Sequence, residues 1–101
     1  MAIGEELAET VLAKTLEGKL SWERLSNSGF ATRIGEATLV IDKLRDHFVL
    51  RVTNEQDIVV ENLYSTDRVD RVIEDLHEAA RRQALRVDET LSEIKRKLES
   101  L

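Results

Sequence analysis

A chain of 101 residues is one domain near the low end for a well-filled core, and its 42% apolar content suits a folded globule. Charged residues reach 35%, above the usual quarter, and with no proline they favour long helices with charge-laced surfaces. The lack of cysteine excludes a disulfide framework and a zinc ribbon, and the net charge of −5 disfavours general binding to nucleic acid while being too mild for a mimic of DNA.

The opening segment "MAIGEELAET" is acidic and amphipathic, without the basic start and apolar run of a signal peptide. No stretch reaches membrane-spanning length, so a cytoplasmic setting with no membrane partner is expected. A first helix is predicted from about Ile3 to Glu17, stopped by Gly18 just past its end. Ile3, Leu7 and Val11 share one face, and Ala8, Leu12 and Leu16 widen it. That arc exceeds the usual ~100° stripe, so the helix should touch two neighbours.

In "KLSWERLSNSGF", Leu20 and Trp22 suggest a short extended piece, and Asn27-Ser28-Gly29 signals a turn. Trp22 reads as a core or edge anchor, with a partner-facing role as the sharper alternative. From Phe30 the period changes to alternation. "FATRIGEATLVI" is a hairpin with Gly35-Glu36 as a two-residue turn, glycine first as type II′ requires. Ile34 then faces Ala37, Thr32 faces Leu39, and Phe30 faces Ile41. "HFVLRVT" continues the pattern if Ile41 faces Phe48, leaving "DKLRDH" as the loop. "DIVVEN" follows if Val52 faces Ile58 and Leu50 faces Val60. The expectation is a four-stranded antiparallel meander with one apolar inner face. On its outer face Val40 and Val49 sit side by side, with Val59 one strand away. They are either ordinary strand residues or a small stripe that meets a second protein.

A last helix is expected to begin at Ser65-Thr66-Asp67, which carries capping residues and early acidic charge. Val69, Val72, Ile73, Leu76 and Ala80 form a broad stripe suited to covering the sheet. Beyond them Ala84, Val87, Leu91, Ile94, Leu98 and Leu101 recur at alternating spacings of three and four, a coiled-coil-like seam. A continuous helix from Asp67 to Leu101 would run about 52 Å. A compact domain of this size has a radius of gyration of only ~13 Å, so the tail must leave the sheet. Residues 1–82 are thus expected to form a compact helix–meander–helix domain. Residues 83–101 are the distal part of the same helix, free for self-association or a partner.

Chemistry is sparsely signalled. Glu74 and His77 have the Glu-x-x-His spacing of carboxylate bundles, but the further inward glutamates such a site needs are not supplied, and a solvated helix edge accounts for the pair. His47 beside Asp46 lacks a nucleophile placed by any motif, so it reads as a turn residue. Residues 81–101 carry six Lys or Arg against four Asp or Glu, without an aromatic stacking platform. Favourable i,i+4 pairs, Glu78 with Arg82 and Glu93 with Lys97, explain most of that charge as a solvent face. No catalytic, cofactor or metal residues are assigned, and no enzyme is expected.

The early tryptophan after a short helix, the meander and the run "EAARRQALRVDETLSEIKRKL" resemble small bacterial proteins of similar length. The likeness spans most of the chain, implies a bacterial cytosolic setting and brings no activity with it. The helix–sheet–helix order is also similar to that of type III secretion chaperones, which are acidic and dimeric. Those interleave another helix among their strands, and this chain offers none. The function expected is therefore a non-enzymatic protein–protein interaction module. A homodimer, antiparallel or intertwined, would build a small bundle from first helices and tails. The alternatives are an inhibitor, antitoxin-like or chaperone-like protein that masks a second protein, and a small regulator associated with nucleic acid.

Overall fold

The computed structural model describes residues 3–65 and 70–101. Helix α1 (Ile3–Leu16) is followed by strands β1 (Glu23–Arg24), β2 (Phe30–Ile34), β3 (Ala37–Lys43), β4 (Phe48–Thr53) and β5 (Val59–Tyr64). Helices α2 (Asp70–Ala84) and α3 (Val87–Glu99) complete the order. The class is α+β, with one antiparallel sheet in the order β1-β2-β3-β4-β5. Thr66, Asp67 and Val69, expected at the start of the last helix, lie outside the described residues.

Among the described residues the sheet has five strands where four were expected. Glu23 and Arg24 pair with Ala31 and Phe30, a strand too short for alternation to reveal. What holds it is the residue before it. The Trp22 backbone N–H donates to Gln83 Oε1 at 2.8 Å, and its indole N–H donates to Thr15 Oγ1 at 3.0 Å. The Thr32 hydroxyl donates to the Ser21 carbonyl at 2.7 Å, tying the same segment to β2. Trp22 is buried and joins both helices to the sheet.

α1 stops where glycine permits. The N–H groups of Gly18 and Lys19 donate to the carbonyls of Thr15 and Lys14, the Schellman pattern, with Gly18 at φ 76°. The β2–β3 hairpin has the expected register from Ile34–Ala37 to Phe30–Ile41, and Gly35 takes φ 62° in its turn.

The next two registers differ from expectation. Ile41 faces Leu50, not Phe48, and Leu39 faces Val52. The loop is shorter than expected, closed by the Leu44 N–H on the His47 carbonyl at 2.7 Å. A two-residue slip keeps every side chain on its face, so Leu39, Ile41 and Leu50 still point inward. β5 departs further: Leu50 faces Leu63 and Val52 faces Glu61, with a bulge between Val52 and Thr53. Turn chemistry explains it. Asn54 Oδ1 accepts from the N–H groups of Gln56 and Ile58, and Asp57 adopts φ 62°. This turn delays the strand, so Leu63 packs against the core and Ile58, Val59 and Val60 are exposed.

α2 crosses the inner face and touches all five strands, and α1 packs along α2. Their shared core is Ala8, Val11, Trp22, Phe30, Leu39, Ile41, Leu50, Ile73, Leu76 and Ala80. Ile3 and Leu16 do not join it, so the buried arc of α1 is narrower than its sequence suggests. Among the described residues every buried side-chain nitrogen and oxygen has a hydrogen-bond partner.

The long continuous helix is not formed. α2 ends at Ala84, and Arg86 takes the left-handed conformation at φ 52°, ψ 47° before α3 begins. The Arg86 N–H closes on the Gln83 carbonyl at 3.1 Å, while its own carbonyl accepts from Thr90. An ion pair of 2.5 Å from Arg82 to Asp88 spans the break, and Arg86 pairs with Glu89. Ala84 is thereby separated from the seam that was expected to run through it.

Candidate interaction surface

α3 is thirteen residues long and contains no buried residue. Val87, Leu91, Ile94 and Leu98 recur at spacings of four, three and four, which puts them on one side of the helix. Leu91 is 55% exposed, Ile94 49% and Leu98 63%, and Leu101 beyond the helix end is almost wholly exposed. The main neighbour of α3 is the end of α2, and it does not fold back along α1. The molecule is elongated, 52 × 27 × 25 Å, with a radius of gyration of 15.0 Å against the ~13 Å of a compact domain this size.

Charge on α3 is polarised along its length. Asp88, Glu89 and Glu93 occupy the first half, and Lys95, Arg96 and Lys97 the second, with Glu99 at the end. Both signs suit the helix dipole. At the junction the expected i,i+4 pair of Glu78 with Arg82 is present but longer, at 4.0 Å, and Glu78 accepts from Arg81 at 2.7 and 3.1 Å. That hydrogen bond holds the Glu78 carboxyl below its ordinary range and raises Arg81 above its own. The Arg86 guanidinium is likewise raised by its bond to Glu89.

The outer valines sit differently from expectation. Val40 faces Arg51 and Val49 faces Asp42, so the two are diagonal neighbours. Val49 is 1% exposed and Val40 8%, with Val49 flanked by Tyr64 and Val40 by Ala31 in the ladder. The chain already covers this stripe with its own side chains, which leaves little valine surface for a partner.

His77 is not on a solvated edge. It is 9% exposed, packed against the rings of Phe30 and Phe48 at 5.6 and 4.9 Å between centroids. Its Nε2 lies 2.8 Å from the Ser28 carbonyl, an acceptor only, so Nε2 carries the proton. The same serine's hydroxyl donates to Asp42 Oδ1, which pins the β1–β2 loop to both helix and sheet. Glu74 and His77 line a shallow groove with Lys43, Arg71 and Glu78. Among the described residues no three His, Asp or Glu side chains gather as a metal site. His47 Nδ1 lies 2.8 Å from Asp46 Oδ1, and that bond lowers the Asp46 carboxyl. Among the described residues no helix is long and apolar enough to cross a membrane.

Comparison with protein-family models, with curated proteins and with solved structures finds no match to this chain. The surface itself therefore carries the functional reading.

Proposed function

We propose that this protein is a non-enzymatic protein–protein interaction module that self-associates through the apolar face of α3. The observation behind the reading is a helix of thirteen residues with four aligned apolar side chains and none of them buried. A helix of this length is marginal in water by itself and gains most of its stability from packing. Each buried leucine or isoleucine contributes about 1.5–3 kcal/mol, so covering Leu91, Ile94 and Leu98 stabilises the helix and drives association together. The helix is tethered to the folded domain by a two-residue break, and the inner face of the sheet is already covered by α2.

Replacing both Leu91 and Leu98 by aspartate tests this. The double variant is expected to lose self-association and part of its helical signal, while the thermal transition of the sheet and α2 persists. Unchanged association would show that α3 is not the docking element.

A further inference from the structure

Resting on that reading, we infer that the occupant of the α3 face is the α3 of a second copy, packed antiparallel and centred between Ser92 and Glu93. This register puts Leu91 opposite the partner's Ile94 and Val87 opposite the partner's Leu98, four apolar layers in all. It also overlaps the two helices along their whole length, because Val87–Glu99 has its midpoint at Glu93.

Charge selects the arrangement. With Leu91 and Leu98 at position a and Val87 and Ile94 at d, the flanking e positions are Asp88 and Lys95. In an antiparallel pair, e residues lie beside e residues of the other chain. The centred register sets Asp88 beside the partner's Lys95 and Lys95 beside the partner's Asp88, two attractive pairs. Sliding one heptad either way sets Asp88 against the partner's Asp88, or Lys95 and Lys97 against the partner's Lys95 and Lys97. A parallel pair brings Thr90 to the partner's Lys95 and gains no ion pair. It also aligns the two helix dipoles and stacks acidic half on acidic half. Only the centred antiparallel register gains attractive flanking pairs without a repulsive one. Asp88 meets Arg82 of its own chain, but as an exposed pair, which leaves a carboxylate oxygen open to a second cation.

The test mixes two single variants, Asp88→Lys and Lys95→Glu. Each homodimer would then carry two repulsive pairs and is expected to weaken roughly tenfold at low salt. The mixture would carry two attractive pairs, so heterodimers should form in excess over statistical mixing. Glu89→Lys mixed with Arg96→Glu, the same charge changes at outward f positions, should show no such preference. The chain has no cysteine, so single spin labels can be placed at will on the otherwise unaltered dimer. Labels at Ser92 should lie at matching heights, and labels at Glu99 about 20 Å apart along the axis. Statistical mixing of the first pair, or close approach of the Glu99 labels, would overturn the antiparallel register while leaving association through α3 intact. A wild-type chain that stays monomeric would overturn self-association as well.

Discussion

Single residues decide how the sheet is sealed on both sides. Leu50 is fully buried on the inner face and Val49 is 1% exposed on the outer one, so neither neighbour in β4 is a surface residue. Leu50→Ala is expected to cost about 2–5 kcal/mol, as buried leucine truncations do. Val49→Ala removes two methyl groups and should cost about 1.5–2 kcal/mol. Val59→Ala, at a position nearly half exposed, should cost little. Denaturant melts of the three variants check this order, and a harmless Val49→Ala would show the outer face to be open to water. Trp22 and His77 serve the same closure. Each is a polar-tipped ring whose hydrogen bond reaches a distant segment, Thr15 for the indole and Ser28 for the imidazole.

Between elements, the informative feature is the break at Arg86. An L residue in the left-handed region costs roughly 1–2 kcal/mol, and glycine avoids most of that. Arg86→Gly is therefore expected to leave stability unchanged or raise it, since the lost pair with Glu89 is exposed and worth little. Arg86→Val, β-branched and poorly suited to positive φ, should destabilise by about 1 kcal/mol or more. Equal melts for the two variants would mean that the bend is not held in place. This break is also where reading the sequence fell short. The apolar period runs through Ala84, Val87 and Leu91 without interruption, and "ALRVD" contains neither glycine nor proline. The interruption lies in the left-handed turn at Arg86, spanned by the exposed Arg82–Asp88 pair, and no single-residue propensity announces it. The β2–β3 hairpin was legible because Gly35 fixes the turn and the turn fixes the register. The β5 register was not, because Asn54 and Asp57 build a longer turn whose length decides which of Ile58, Val60 and Leu63 faces inward. The short β1 was invisible for a different reason: it is held by Trp22, Gln83 and Thr32, contacts distant in sequence. Of the surface, the alignment of Val87, Leu91, Ile94 and Leu98 on one helix face was readable. Val40 and Val49 were readable as an outer pair, but not as buried ones.

At the scale of the whole molecule, the chain divides its apolar residues between two uses. The buried ones of α1, the sheet and α2 close one core, whereas those of α3, like Ile3, Leu16, Val59 and Val60, remain on the surface of an elongated body. A protein that left so many leucines in water would carry an association-prone face, and polarised charge beside that face limits which associations are favourable. Sedimentation equilibrium of the intact wild-type chain, from low to high micromolar concentration, tests the central claim most directly. The account predicts a reversible monomer–dimer equilibrium with the dimer dominant at the high end. A single monomeric species throughout, with α3 still helical by circular dichroism, would contradict it.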